Sequence, residues 1–361
     1  MLEAVMGLPL VGPNATALLA VSVIVIVLLL MALLARAVHR GERQGHQRSA
    51  AGLFQLLVGR IAGSVAPREL FAAVRGAQAE NYWAAIEAIT STLRHRERRA
   101  LARSLARNRH ARDARFVLRH DDDPARREQA ARRLGLLPSQ ASRRALRRAL
   151  VKGPESVRFT AARSLAAHRD LAALGWILHR PELLASRPLS ALSGLLRSYG
   201  PGGRALLLAG LERGIAVTRF ECAMIDALGV ARCRSARGAI EARLRSPHTE
   251  VRIGATRALG RLGMGESIPA LLLALTDDAW AVRAQSAQAL GRLQATPAIE
   301  PLLERVSDRS WWVRHHAAYA LAMLGADGRD ALCELIARSP DAYAREMARE
   351  ALDHAVQRQS A

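Results

Sequence analysis

Ala281-Val282-Arg283-Ala284-Gln285-Ser286-Ala287-Gln288-Ala289-Leu290-Gly291-Arg292-Leu293 decides the fold of this chain, because further stretches repeat it at a spacing of 31 residues. Val251-Arg252, Val313-Arg314 and, in weaker form, Ala344-Arg345 stand eight residues ahead of Leu259, Leu321 and Leu352, as Val282-Arg283 stands ahead of Leu290. A unit this short cannot bury its own apolar face and is stable only when stacked on copies of itself. The spacing therefore predicts an all-α chain, a right-handed solenoid of stacked helical hairpins that offers a surface to partners.

Within the quoted stretch, Val282, Ala289, Leu290 and Leu293 fall on one helical face while Arg283, Gln285, Gln288 and Arg292 point away from it. Small residues such as Ala287 and Ala289 let a neighbouring helix come close. Ile299, Leu302 and Leu303, with Pro297 near their start, supply a second, antiparallel helix. The same signals return at Ile268, Leu271 and Leu272 after the turn residue Gly263.

An Asp six residues ahead of an Arg, as in Asp277 and Arg283 or Asp308 and Arg314, with Ala289-Leu290-Gly291 after the first pair, resembles the HEAT repeat family in the short form of bacterial phycobilisome-lyase-type proteins. That resemblance implies a structural ladder of Asp277, Arg283, Asp308 and Arg314 along the stack. Ser246 and Lys152 stand at the Asp position before Arg252 and Arg158, so the ladder is expected in the last third only. The signatures of tetratricopeptide and ankyrin repeats are absent. The resemblance also implies one enzymatic alternative, a lyase acting on a tetrapyrrole-protein linkage, although no residue here is assigned to that chemistry.

Followed backwards, the pattern persists in Phe220 to Leu228-Gly229, slips phase at Val157-Arg158 to Leu165, and is recognisable at Asp123-Pro124 to Leu134-Gly135. Tyr82, Trp83, Ile86, Ile89 and Leu93 fit a helix without fitting the template. Divergent repeats are expected over 81–245 and regular ones, with a C-terminal cap, over 246–361, giving about seven to eight helical pairs.

At the other end, Ala15 to Ala35 carries no charge, and 21 helical residues reach about 32 Å, enough for a hydrocarbon core of roughly 30 Å. A transmembrane helix is expected over 15–38, behind a tail at 1–14 that lacks the basic start of a signal peptide. Arg36, Arg40, Arg43 and Arg48 on its C-terminal flank place that flank inside. The expected location is a bacterial inner membrane, crossed once, with the N-terminus outside and the solenoid in the cytoplasm. A linker at 39–50 and amphipathic connecting helices at 51–80 follow. In the latter, Leu53, Phe54, Leu56, Leu57, Val58 and Ile61 are read as packing on the first repeat rather than lying on the membrane.

The net charge is +21, and all the basic residues but Lys152 are Arg. Between Arg94 and Arg148 stand 18 Arg and six acidic residues. Arg126, Arg127, Arg132, Arg133, Arg143, Arg144, Arg147 and Arg148 are candidates for a polyanion or lipid headgroup, nucleic acid being the less expected of these. Asp121, Asp122 and Asp123 read as a helix start before Pro124. Trp311, Trp312 and His315, together with Arg283 and Arg314, form the candidate binding surface, with at least one Trp expected to fill a gap between repeats. Cys222, Cys233 and Cys333 form no Cys-x-x-Cys pair and read as reduced structural thiols.

No nucleophile elbow, phosphate loop or metal-ligand spacing appears, and His315 and His316 project about 100° apart on a helix. Neither catalysis nor a cofactor or metal is expected. The sequence points to a scaffold or adaptor binding a membrane-associated protein. Similar architectures imply an accessory to a membrane enzyme such as an envelope polysaccharide glycosyltransferase.

Overall fold

The computed structural model describes residues 49–359 except 94–96, 98–99, 103–104 and 106. The expected tail at 1–14, membrane span at 15–38 and nearly all of the linker lie outside the described residues. Among the described residues, no helix is long and apolar enough to cross a membrane, and no strand is formed. The chain divides into two compact units, one ending at Asp113 and the other beginning at Ala114.

In the first unit, residues 49–62 are helical and are held through buried Leu53 and Leu57, leaving Val58 and Ile61 exposed. Pro67–Gly76 begins with Pro where a helix N-terminus has no amide to lose, and buries Leu70 and Val74. Ala79–Thr92 buries Tyr82, Trp83, Ile86 and Ile89. The Asn108 amide donates to the buried Tyr82 hydroxyl at 2.6 Å, and His110 stacks on the Tyr82 ring at 4.4 Å. A buried phenol thus has both a polar partner and a flat neighbour.

The second unit is two layers of helices. One series comprises Pro124–Leu136, Glu155–Ala167, Leu189–Ser198, Thr218–Val230, Thr249–Leu262, Trp280–Arg292, Trp311–Met323 and Ala342–Gln359, each packed on the next. The other, Gln140–Lys152, Leu171–His179, Gly200–Arg213, Arg237–Ala242, Ile268–Ala274, Ile299–Val306 and Gly325–Arg338, alternates with it along the chain and lines its flank. The solenoid expected from the 31-residue period is what forms, and its regular repeats share one unit with the divergent ones from Ala114 onward.

The recurring residues explain the stacking. Val251, Val282 and Val313, with Leu259, Leu290 and Leu321, are all buried, and each such side chain stabilises by about 1.5–3 kcal/mol. The glycine after Leu228, Leu259 and Leu290 sets the closeness of approach, and Ala322 follows Leu321. A Cβ on Gly229, Gly260 or Gly291 would come within 2.7 Å of Ala258, 2.8 Å of Ala289 or 2.8 Å of Ala320, in the next helix of the same series. Leu-Gly in one repeat and Ala in the next are two halves of a single contact.

The turn that follows requires a left-handed residue. Arg232, Gly263, Gln294 and Gly325 occupy it with φ of 47°, 70°, 49° and 83°. Glycine adopts that conformation freely, whereas Arg and Gln do so at a cost of roughly 1–2 kcal/mol. At the helix starts, Asp123 accepts from the Ala125 amide at 2.8 Å, the capping role expected of the Asp121 to Asp123 cluster.

Candidate functional site

The ladder forms between repeats. Arg252 donates from Nε and Nη2 to Asp277 at 2.8 and 2.9 Å, and Arg283 does the same to Asp308 at 2.8 Å for both bonds. Each Arg thus reaches the Asp 25 residues ahead of it. Backwards across its own turn, Arg283 donates to the main-chain oxygens of Asp277 and Asp278, and Arg314 to that of Asp308. Asp277 and Asp308 also accept from the amides of Ala279 and Ser310. The same carboxylate therefore closes the turn before one helix and joins it to the preceding repeat. Burial alone would push the Asp308 carboxyl up; the Arg283 hydrogen bonds and the Ser310 amide more than reverse this and hold it below the usual carboxylate range.

This corrects two expectations. Arg283 is 4% exposed, with every outward donor engaged by Asp308 and the preceding turn, and presents nothing to a partner. Arg314 has no carboxylate ahead of it, because Ser339 stands where Asp277 and Asp308 stand in the two preceding repeats. Its Nε is buried without a partner, and its guanidinium lies 5.7 Å over the Tyr343 ring. The ladder thus begins at Arg252, earlier than its same-turn spacing implies, and ends at Arg314.

Trp311 and Trp312 also depart from the expectation that one would fill a gap: they are 45% and 52% exposed. They are the first two residues of their helix, and side chains there lean back toward the N-terminus and away from the stack. Trp280, one repeat earlier at the position of Trp311, is exposed as well, as is Tyr343, one repeat beyond Trp312. Trp311 meets Trp312 edge-on at 4.8 Å and stacks on His315 at 5.0 Å, and His315 continues to Tyr319 at 4.1 Å. Burial, opposed by Glu350, holds His315 below the usual imidazole range; burial with the nearby His315 and Arg292 does the same for His316. Both are half-buried, so neither is purely a surface or a packing residue. The result is an aromatic edge across successive repeats, in which Trp280 and Tyr343 were not foreseen although the 31-residue register marks them.

The eight Arg candidates separate by partner. Arg147 grips Asp170 through two bonds of 2.8 and 2.6 Å, and Asp170 in turn caps the Leu171–His179 helix. Arg132 pairs with Glu128 at 2.7 Å, and Arg126 lies 3.8 Å from Asp121 and Asp123. Arg127 donates from Nε to the Leu118 carbonyl, Arg133 and Arg143 are half-buried, and Arg144 and Arg148 are exposed.

Among the described residues, no group of three or more His, Cys, Asp or Glu is placed to hold a metal ion. The three cysteines are free thiols. Burial, with Glu250 and Glu221 nearby, pushes the Cys222 thiol up to about 11, where it is a poor nucleophile.

The sequence pattern of HEAT repeats matches residues 217–290 and 268–353. No curated protein matches the chain. Among solved structures, an engineered protein is similar at 18% identity over 84% of this chain and 98% of its own, with a TM-score of 0.38. Human deoxyhypusine hydroxylase is similar at 18% identity over 87% of this chain and 98% of its own, with a TM-score of 0.30. A karyopherin bound to the extreme C-terminus of a protein phosphatase is similar at 12% identity, with a TM-score of 0.48 over 83% of this chain, which spans 40% of the karyopherin.

Proposed function

We propose that this chain, which over residues 217–353 belongs to the HEAT-repeat family, is a protein-binding scaffold whose partner docks on the aromatic edge of Trp280, Trp311, Trp312 and Tyr343. The observation that carries the reading is the exposure of three indoles and a phenol on successive repeats. Large rigid aromatic side chains give much contact area at little conformational cost and dominate the energetics of interfaces. Arg309 and Arg314 border the edge, which suits a partner segment carrying acidic residues beside apolar ones.

The role is binding, without a catalytic step. The apolar segment at 15–38 would tether the solenoid to the cytoplasmic face of a membrane, and a partner in the same membrane would then meet it at a raised effective concentration.

The test is affinity capture of the full chain from detergent extracts, in parallel with a Trp311→Ala/Trp312→Ala variant. A partner recovered by the parent chain should bind the variant roughly 30-fold or more weakly, with the thermal unfolding transition unchanged. Equal recovery of that partner by both would overturn the reading.

A further inference from the structure

We propose that the cleft between the C-terminal half of the Arg109–His120 helix and the Gln140–Lys152 helix is a binding site for a nucleoside polyphosphate. The cleft encloses about 770 Å³, within the range of roughly 300–1,000 Å³ typical of small-molecule sites. Its lining includes Arg115, Arg119, Arg127, Arg144, Arg148 and Lys152 and no carboxylate.

The register of these residues is what concentrates the charge. Arg144, Arg148 and Lys152 recur every four residues along one face of a helix that contains no acidic residue at all. Arg115 and Arg119 repeat the spacing on the opposite wall. Like charges one helical turn apart repel each other, a repulsion that a bound polyanion would relieve. Arg127 is held in the wall by its Nε bond of 3.2 Å to the Leu118 carbonyl, and so meets a ligand with part of its side-chain freedom already lost.

A second feature selects what accompanies the phosphates. Phe116 is 67% exposed at the edge of the cleft, with the His120 ring 4.8 Å away. Together they offer a flat apolar surface beside a cationic recess, the combination that accepts a base on one side and its phosphates on the other. Beyond this pair lies a separate recess lined by Asp121, Asp122 and Asp123, which repels anions and so directs phosphates toward Arg144 and Arg148. A nucleic-acid strand would need a continuous basic track. Around the cleft, however, Arg126, Arg132 and Arg147 each have a carboxylate partner, which interrupts such a track, whereas the lining of the cleft itself contains no carboxylate.

The experiment is isothermal titration calorimetry of the full chain in detergent micelles with adenosine triphosphate. Inorganic tripolyphosphate, a long single-stranded oligonucleotide and phosphoinositide-containing vesicles serve as competing probes. Saturable binding of one nucleotide per chain is expected, tighter than tripolyphosphate. Phe116→Ala should abolish that preference. Arg144→Glu/Arg148→Glu should weaken nucleotide binding by at least about 100-fold, with an unfolding transition no lower than the parent's. If that variant fails to fold, Arg144→Gln/Arg148→Gln replaces it, with at least about a tenfold loss expected. No heat at millimolar nucleotide, or affinity unchanged in these Arg variants, would overturn the proposal. So would equal affinity for nucleotide and tripolyphosphate, oligonucleotide binding whose stoichiometry grows with strand length, or vesicles binding where the nucleotide does not.

Discussion

Between Arg252 and Asp308 every ladder guanidinium meets a carboxylate and a carbonyl oxygen, whereas between Arg115 and Lys152 six cationic side chains line one recess that has no carboxylate. Both regions are Arg-bearing helical pairs of the same unit. In the first, the charge is out of water and is tolerable only because two acceptors face it; in the second, the exposed Arg119, Arg144, Arg148 and Lys152 stay in water among like charges. Removing a charge should therefore have opposite signs at the two ends.

The largest effect is expected at Asp308, whose side chain and that of Arg283 are each 5% exposed. Asp308→Ala leaves the guanidinium buried and uncompensated and should lower stability by about 3–5 kcal/mol in urea unfolding. Replacing both partners by apolar residues of similar volume should cost much less, because no charge is then stranded. A loss under about 1 kcal/mol for Asp308→Ala would mean that the ladder is incidental to stability.

Acid should find the basic repeats before it finds the ladder. Burial, with Arg143 nearby, lowers the His168 value to about 4, although its Nε2 faces the carbonyls of Leu134 and Gly135 at 3.1 Å and Asp170 pulls the other way. The folded value of this base lies below the unfolded one of about 6.5. Above that pH the ring is neutral in both states and contributes nothing. As the pH falls toward about 4, the unfolded chain takes up a proton that the folded chain refuses, and up to roughly 3 kcal/mol is lost. Urea unfolding between pH 7 and 4.5 should show this slope in the parent and not in His168→Gln; equal slopes would remove His168 as its cause.

A gain is expected where the ladder stops. Ser339→Asp supplies the carboxylate that Arg314 lacks, at the same 25-residue spacing as Asp277 and Asp308. It should raise stability by about 1–2 kcal/mol, and the gain should vanish when Arg314 is replaced by Met. A gain that survives this replacement would show that the carboxylate acts on the helix start rather than on the Arg.

What the sequence made legible follows from where each contact closes. Val282 and Leu290 recur as Val251 and Leu259 and as Val313 and Leu321, with Gly291 repeated as Gly260, so their period exposed the fold and the all-helical class. Asp277, Arg283, Asp308 and Arg314 were identified as ladder members from their same-turn spacing, but the side-chain pairing runs to the next repeat, and a single helical wheel contains no information about it. That is why Arg283 reads as partner-facing when it is buried. The left-handed turn was visible at Gly263 and silent at Arg232 and Gln294, since a side chain gives no sign of the φ its backbone must adopt. Trp311 and Trp312 were placed on the candidate surface, but the expectation that one would fill a gap failed because the register that buries Val313 says nothing of residues at the helix mouth. In the basic region, counting adjacent Arg pairs hid the signal that matters, the four-residue rhythm of Arg144, Arg148 and Lys152.

The smallest effect is the one that separates the two regions most sharply. Arg148 is exposed, one turn from both Arg144 and Lys152, and no carboxylate lines its cleft. Arg148→Gln keeps a long polar side chain of good helix propensity while removing two like-charge pairs, so stability should rise by about 0.5 kcal/mol or less at low salt. The gain should shrink as salt rises, because screening already weakens the repulsion between exposed charges in the parent chain. Urea unfolding at two salt concentrations measures both. A loss of more than about 1 kcal/mol would mean that Arg148 is held by an acceptor as the ladder arginines are, and the contrast between the two ends of the unit would fail.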